Sequence, residues 1–422
     1  YGLDDAIEFA KMLDGKVDLI HVSATSFRDV NSGCRMFPSA FLPHGVNVYL
    51  AEAIKKHVKT PIATVGSLSD PAAMEDIIAS GKADVIYVGR QILADPEFPN
   101  KAKAGRFDEV RPCVRCNHCL SLDFVPYVDM CSGISQCVVN PEVGRDLKED
   151  MYQPKPQPKK VLVIGGGPGG MQAALKAEEQ GHEVILIEKA DRLGGMLNVA
   201  VHDVSFKEDL GRYLQYLIRM VERKAIQVRL NTTATLELIQ EIAPDTVVCA
   251  VGAEPIIPRI PGVDRDNVVK VTQLRDPDLK FGEKVVVIGG GLVGCEEGLA
   301  LAMEGKDVTV LEMQEKLAPD APVLHLKAMM LEYEKRTENL HPYTEVTVTS
   351  IEDDGVHAKD KDGKEVIYPA DTVLLSVGMR SKIDEVEKLR TNDAEFITVG
   401  DCIKPGKILQ AVSGGYFAGK NA

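Results

Sequence analysis

"KKVLVIGGGPGGMQAALKAEEQGHEVILIEK", residues 159–189, decides the fold class of this chain. An apolar run of strand length leads into G-x-G-x-x-G at Gly165, Gly167 and Gly170. A helical pattern follows, and a second apolar strand ends in Glu188. That glycine spacing alone is a weak signal. Its place between a strand and a helix, with an acidic residue closing the next strand, is the context of a dinucleotide-binding βαβ unit. The glycines let the backbone approach a pyrophosphate at the helix N-terminus, and the carboxylate accepts hydrogen bonds from a ribose hydroxyl. The plainer alternative is that the glycines serve only turn packing.

The same unit returns in "EKVVVIGGGLVGCEEGLALAMEGKDVTVLEM", residues 283–313, with Gly289, Gly291 and Gly294. Glu312 stands at the same offset from Gly289 as Glu188 does from Gly165. An internal repeat at domain scale predicts two dinucleotide sites, one for a held cofactor and one for an exchanging one. Near the C-terminus the strand-like "FITVGDC", residues 396–402, offers Asp401 after a glycine.

Upstream, a polar and proline-dotted linker over 146–159 separates these repeats from a different pattern. "KVDLIHVSA" (16–24), "KTPIATVGS" (59–67) and "KADVIYVGR" (82–90) are apolar runs of strand length, continuous enough to predict burial on both faces. Amphipathic helical stretches at 46–58 and 70–81 lie between them, the second opening on Asp70 as N-cap and Pro71 at the first helical position. This βαβαβ run fits either a doubly wound sheet or the end of a (β/α)8 barrel. In a barrel, the loops after the last two strands commonly form a phosphate site. Gly66, Ser67, Gly89 and Arg90 suit that role, with tight-turn glycines as the alternative. Because Tyr1 opens in mid-helix, the expectation is a chain lacking the N-terminal part of the barrel.

Between the two patterns, "RPCVRCNHCLSL" (111–122) sets Cys113, Cys116 and Cys119 at Cys-x2-Cys-x2-Cys spacing. A zinc ribbon wants two separated Cys-x2-Cys pairs. Three thiolates from a tight loop and one from a distance suit a 4Fe-4S cubane, with zinc as the alternative. Cys131 and Cys137 compete for the fourth place, and Cys137, followed closely by the Asn140–Pro141 turn, is favoured. Cys34, Cys249, Cys295 and Cys402 are scattered and read as buried structural thiols.

Composition narrows the function classes. A chain of 422 residues with 45% hydrophobic content can build two or three domains. A net charge of -14 with no basic block argues against nucleic-acid and anionic-membrane partners. No apolar run approaches the roughly 18 residues of a membrane span, and no signal-peptide pattern stands at the start. With nine cysteines, three of them close together, a reducing, cytoplasmic setting with a metal centre is expected.

Taken in order, barrel end, cysteine loop and nested Rossmann units resemble the iron–sulfur flavoenzymes related to old yellow enzyme: 2-enoate reductase, 2,4-dienoyl-CoA reductase and trimethylamine dehydrogenase. The resemblance covers essentially the whole chain. It implies an α/β fold: the C-terminal part of an FMN-binding (β/α)8 barrel over 1–111, an iron–sulfur segment over 112–145 and the linker over 146–159. An FAD-binding domain over 160–280 would resume over 371–422, around an inserted NAD(H)-binding domain over 281–370. By position, Gly66, Ser67, Gly89 and Arg90 match the FMN phosphate loops, and Cys113, Cys116, Cys119 and Cys137 the cluster ligands. Gly165, Gly167, Gly170, Glu188, "RLGG" at Arg192 to Gly195, and Asp401 match the FAD site. Gly289, Gly291, Gly294 and Glu312 match the NADH site.

The function so implied is an NADH-dependent oxidoreductase. Electrons pass from NADH through FAD and the cluster to FMN, and reduce an activated C=C bond of a small unsaturated acid or CoA ester. Two alternatives stay open: an N-methyl amine dehydrogenase of the same architecture, and an electron-transfer module serving a partner. A homo-oligomer is equally open. His21, Arg28 and His44 lie in or near the barrel loops and are candidates to line a substrate pocket, against structural or solvent-facing roles. No catalytic acid is identifiable.

Overall fold

The computed structural model describes residues 2–25, 30–120, 136–144, 156–274 and 276–422. Arg28, Cys131 and most of the linker lie outside the described residues. The chain forms two compact units: residues 1–146 with 205–216 and 322–328, and residues 147–204 with 217–321 and 329–422.

In the first unit, strands Ile20–Val22, Ile62–Thr64 and Val85–Ile86 form a parallel three-stranded sheet in that order. Helices Leu3–Leu13, Val48–Lys55 and Pro71–Ala79 alternate with them. Asp70 caps the last of these, its side chain accepting from the Ala72 N–H at 2.9 Å, with Pro71 at the first helical position. Ala10, Val22, Ala51, Ile54 and Ile62 are among the residues that close the core of this layer. The sequence predicted burial on both faces for all three strands, and only the central one is buried throughout. Val85 is 38% exposed and Tyr87 43%. Among the described residues, strand Val85–Ile86 pairs on one side only, so less of its apolar run is covered.

The second unit contains two parallel five-stranded sheets. One runs Glu395–Thr398, Thr246–Cys249, Lys160–Ile164, Glu183–Ile187, Ile226–Arg229. The other runs Leu340–Tyr343, Asp307–Leu311, Lys284–Ile288, Thr372–Leu375, Val268–Lys270. In each, the strand before the glycine loop lies at the centre with the carboxylate-bearing strand beside it, so the sequence repeat is also a topological one. A three-stranded antiparallel sheet, 347–352, 355–359 and 365–368, packs on the second through Ile351, Val356 and Tyr368. The expected boundaries at 281 and 371 shift. Strands Val268–Lys270 and Thr372–Leu375 pair into the second sheet, because the apolar run "TVLL" extends its central ladder.

Helices Pro168–Gln180 and Ile408–Asn421 pack at backbone distance in this unit. A Cβ on Gly415 would sit 2.1 Å from the Gly169 carbonyl oxygen, and one on Gly419 would sit 2.3 Å from that of Ala173. At Gly414 the nearest atom is a Val399 methyl at 3.5 Å, an ordinary contact. Helix propensity favours alanine over glycine by about 1 kcal/mol, whereas forcing atoms into a packed interface costs about 1–3 kcal/mol or more. Gly415→Ala should therefore lower the urea midpoint of unfolding, and Gly414→Ala should leave it unchanged or raise it.

Candidate functional site

The cysteine segment owes its shape to the short helix Arg90–Ala94, which follows the third strand of the first unit. Gln91, 2% exposed, donates from Nε2 to the Arg111 carbonyl at 2.8 Å and accepts the Cys113 N–H at 2.9 Å. The Asp95 carboxylate accepts the Arg111 N–H at 2.9 Å and the Lys101 ammonium at 2.7 Å. The Leu93 carbonyl accepts from the side chain of Asn140, three residues past Cys137, at 2.8 Å. One helix thus anchors both cysteine segments.

Between the cysteines, Arg115 (φ 50°) and Asn117 (φ 59°) take left-handed backbone conformations, an uncommon state for residues other than glycine. Each is held by its side chain. Arg115 is buried against Asp209 at 2.5 Å and donates to the carbonyls of Ser39 and Leu42. Asn117 donates to the Phe37 carbonyl at 2.9 Å and accepts from Arg90. Alternating the chain in this way turns Cys113, Cys116, Cys119 and Cys137 toward one cavity, which Arg90, Asn117, Val138 and Val139 also line.

All four thiols are free. Burial pushes each of them up, Cys119 to about 11, and their mutual repulsion adds to it at Cys116, Cys119 and Cys137. Backbone N–H groups work the other way. Those of Arg115 at Cys113, His118 at Cys116, and Val139 and Asn140 at Cys137 favour the thiolate, as does the charge of Arg90 at Cys113 and Cys119. N–H donors to sulfur and a nearby guanidinium fit a thiolate-held metal group. Among the described residues, the one group of three or more ligand atoms within 4.8 Å of one another is Glu352, Asp354 and His357, exposed on an antiparallel hairpin. Among the described residues, no three of the four sulfurs lie within 4.8 Å of one another, whereas tetrahedral thiolates about one zinc ion, with bonds of about 2.3 Å, would. A larger group fits them better.

The loops that carry Ser67 and Arg90 adjoin this cavity. Arg90 Nη2 donates to Ser67 Oγ at 3.2 Å while Nη1 donates to Asn117. Ser67 is itself left-handed at φ 52°, and its hydroxyl donates to the Pro38 carbonyl at 2.9 Å. Gly66 (φ 131°) leaves room for Asn47, whose amide nitrogen would lie 3.0 Å from an added Cβ. At Gly89 an added Cβ would meet nothing within 4 Å, so the loop is open there. His44 packs its Nδ1 at 2.8 Å from the Ser67 carbonyl and its Nε2 at 3.1 Å from Asp209. It braces the loop through Nδ1 and sets Nε2 toward the buried carboxylate. His21 stacks edge-on with Tyr87 at 4.4 Å, and burial lowers its pKa.

In the second unit the two glycine loops repeat one geometry. Gly165 and Gly289 both have φ 105°, and a Cβ there would strike the carbonyl oxygens of Ala250 and Ser376 at 2.4 and 2.3 Å. The middle glycines differ in what they face. A Cβ on Gly167 would meet only Gly195 Cα, at 4.0 Å, and one on Gly291 nothing within 4 Å. Space for a ligand opens there, where helices Pro168–Gln180 and Leu292–Met303 begin. Glu188 accepts the N–H groups of Gly166 at 2.7 Å and Ala190 at 2.8 Å; Glu312 accepts those of Gly290 at 2.8 Å and Gln314 at 2.7 Å. Each carboxylate is fixed with lone pairs to spare for a ribose. Gly195 closes on Gly167, whereas Arg192 is largely exposed beside Asp191. Asp401 accepts the Gly406 N–H at 3.0 Å, and burial raises its pKa. Cys34, Cys249, Cys295 and Cys402 are all buried, as read from the sequence.

Residues 159–412 match the pyridine nucleotide-disulphide oxidoreductase family, and residues 3–109 match the NADH:flavin oxidoreductase / NADH oxidase family. The chain belongs to the flavoenzymes of the 2-enoate reductase and old yellow enzyme type. It is 38% identical to the NADH oxidase of Thermoanaerobacter brockii over 98% of its own length and 63% of that protein's. With the cinnamate reductase of Clostridium sporogenes it shares 34% identity over 91% of this chain and 56% of the relative. The solved complex of 2-naphthoyl-CoA reductase with 2-naphthoyl-CoA superposes with a TM-score of 0.91 at 31% identity, covering 99% of this chain and 62% of that one. The chain thus spans under two thirds of the length of these relatives. Its fold is α/β, the C-terminal part of a (β/α)8 barrel joined to two nested Rossmann-like units.

The sequence singles out the cysteines that line the cavity and not the residues that support them: Gln91, Arg115, Asn117 and Asp209. Of these only Asn117 carried a local signal, since asparagine is enriched at left-handed positions. The loop of the second repeat was also missed. The Gly194 N–H donates to the Gly166 carbonyl at 2.8 Å, and the Ala318 N–H does the same to Gly290 at 2.8 Å, so "KLAP" (316–319) answers "RLGG" (192–195).

Asp209 is the support whose loss is easiest to measure. Burial raises its pKa, but the hydrogen bond from His44 and the charge of Arg115 outweigh that and leave it below the ordinary value. A depressed carboxyl stabilises the fold above its unfolded pKa of about 3.9, and the contribution disappears as pH falls through the folded value. Asp209→Asn leaves Arg115 charged and buried, which costs about 3–5 kcal/mol. Denaturant titrations should show that deficit at pH 7 and a shrinking difference from the parent below pH of about 4.

Proposed function

We propose that this chain is part of an NADH-dependent reductase of activated carbon–carbon double bonds, acting on an enoate or an enoyl-CoA. The observation that carries the reading is Arg90. Its guanidinium lines the cavity of the four cysteines and also reaches Ser67 of the phosphate loop, so a redox group held by the cysteines would sit next to a flavin held by the barrel end. Cys113, Cys116, Cys119 and Cys137 would hold a 4Fe-4S cluster. Gly66, Ser67, Gly89 and Arg90 would hold the FMN phosphate; Gly165, Gly167, Gly170, Glu188, Gly195 and Asp401 would hold FAD; and Gly289, Gly291, Gly294 and Glu312 would hold NADH. When bound, these groups supply the conversion of a two-electron donor into single-electron transfer and back into two-electron reduction of the alkene.

The chain's own residues bind and orient. The open middle glycines admit a pyrophosphate to each helix N-terminus, and the fixed carboxylates select a ribose that presents hydroxyls. Arg90 adds a permanent positive charge beside a phosphate. The relatives named cinnamate reductase and 2-naphthoyl-CoA reductase support an unsaturated acid or thioester conjugated to further π-bonds as substrate. A buried carboxylate kept at Glu312 favours this reading over an amine dehydrogenase, which does not draw on NADH.

Two outcomes are expected of the natural full-length protein. Anaerobically it should oxidise NADH in the presence of cinnamate-like acids or enoyl-CoA esters and contain two flavins and four irons per chain, about one cluster. Cys137→Ser should lose that iron and Cys131→Ser keep it; equal iron in both variants would remove the ligand assignment.

Cofactor choice follows from Glu312. Its carboxylate repels a 2′-phosphate, so kcat/KM should favour NADH over NADPH by about tenfold or more. Gly291→Ala, where the fold has space for the methyl, should raise the KM for NADH while leaving FAD content and unfolding midpoint unchanged. Comparable efficiency with NADPH would contradict the role of Glu312.

A further inference from the structure

Two chains of polar contacts run from the cysteine turn to the Ser67 turn, and both lie within the first unit. The shorter passes through Arg90, which donates from Nη1 to Asn117 Oδ1 and from Nη2 to Ser67 Oγ at 3.2 Å. The longer starts at Arg115, which pairs with Asp209. It continues through His44, whose Nε2 lies 3.1 Å from Asp209 and whose Nδ1 lies 2.8 Å from the Ser67 carbonyl. Arg115 and Asn117 flank Cys116, and these two residues and Ser67 all hold left-handed backbone.

Residues other than glycine persist in that conformation only where their surroundings over-determine it. Here the strained positions support one another, because Arg90 and His44 each reach toward both turns. Arg90 also lines the cavity that Cys113, Cys116, Cys119 and Cys137 share. A metal group bonded to the four sulfurs would fix one end of both chains, since binding a metal and ordering its ligand loop are one equilibrium. Restraint at the cysteine end is passed on to Ser67 through side chains that are already in contact.

We propose that the cysteine turn and the Ser67 turn bind their ligands cooperatively: filling the cysteines presents Arg90 and Ser67 to a phosphate, and Asn117 is the positioning residue that carries the coupling. The inference rests on the 4Fe-4S and FMN readings of the two sites and adds to them a thermodynamic link that adjacency alone does not require. Such a link is reciprocal, so a bound phosphate holds the metal group by the same factor. Two accounts compete with it. In one, both turns are rigid before either ligand arrives and the sites are independent. In the other, two anionic groups repel one another across Arg90, and each weakens the other.

The test compares FMN and riboflavin binding to the natural full-length protein by flavin fluorescence, after FMN has been removed. It is run with the iron in place and after the iron has been stripped with a chelator. Iron, acid-labile sulfide and FAD are measured in every sample. Riboflavin lacks the phosphate, so it reports on the barrel apart from the Ser67 turn. Stripping the iron should weaken FMN binding by about tenfold and leave riboflavin binding unchanged. Asn117→Gly keeps a backbone suited to the left-handed position and removes the contact to Arg90. It should retain iron and FAD, bind FMN about as weakly as the stripped parent, and lose most of the dependence on iron. Should it lose iron, His44→Gln takes its place, since it cuts the longer chain and leaves Asp209 on Arg115. In the iron-loaded protein that variant should weaken FMN relative to riboflavin, and an unchanged ratio would count against the coupling. FMN affinity that is equal or higher after stripping, or FMN and riboflavin weakened together, would overturn the inference while leaving both sites as read. A parent protein that binds no iron or no FMN would overturn the proposed function instead.

Discussion

A glutamine side chain that bonds the backbone two residues apart on the cysteine segment is the contact on which the first unit's site depends. Gln91 takes the Arg111 carbonyl and the Cys113 amide together, as a strand neighbour would, in a stretch that has no strand neighbour. Buried backbone polar groups need partners, and a loop shaped around sulfur ligands cannot find them in regular structure. The short helix carrying Gln91 supplies them from successive positions: Arg90 to Asn117, Gln91 to the first cysteine, the Leu93 carbonyl to Asn140, and Asp95 to Arg111. A helix that ends a barrel repeat thereby becomes the frame of a second site. The Ser67 loop and the cysteine cavity share a wall because both meet Arg90 of this helix.

Strain in that loop is matched by burial. Two left-handed residues that are not glycine stand between the cysteines, and each is fixed by a side chain that sequence proximity does not supply. Arg115 reaches Asp209, 94 positions away, and Asp209 also receives His44, which holds Ser67. One buried carboxylate therefore touches the supports of both the cysteine turn and the Ser67 turn. Such a network is costly to leave half-made, since each charge in it is desolvated.

The second unit solves a different problem by repetition. In each glycine loop, a buried carboxylate from the next strand pins the backbone N–H after the first glycine, and the middle glycine faces open space. The device recurs down to the returning loop, where the Gly194 and Ala318 N–H groups bond the equivalent carbonyls of Gly166 and Gly290. The repeats diverge at the flanks. Helix Ile408–Asn421 packs glycine against glycine on the helix of the first loop, which fixes that loop from behind and suits a cofactor that stays. Among the described residues, the second helix meets no other helix glycine to glycine.

Much of this was legible in the chain because it is local. Glycine spacing, a strand's closing carboxylate and the Cys-x2-Cys-x2-Cys run each fix their geometry within a few residues, where steric limits and covalent reach decide the outcome. The βαβ order, the duplicated units and the gathering of Cys137 with the first three cysteines follow from these. Sheet membership did not. Strands Val268–Lys270 and Thr372–Leu375 read as apolar runs that either sheet could accept, and only the ladder chose. The residues that hold the cysteine loop, Asp209 with Arg115 and Asn117 with Phe37, come from segments with no periodicity in common. What the sequence by itself determined was the spacing of the glycines, carboxylates and cysteines within each loop. What the tertiary structure alone decided was how their charges are compensated, because burial joins side chains whose distance along the chain carries no signal.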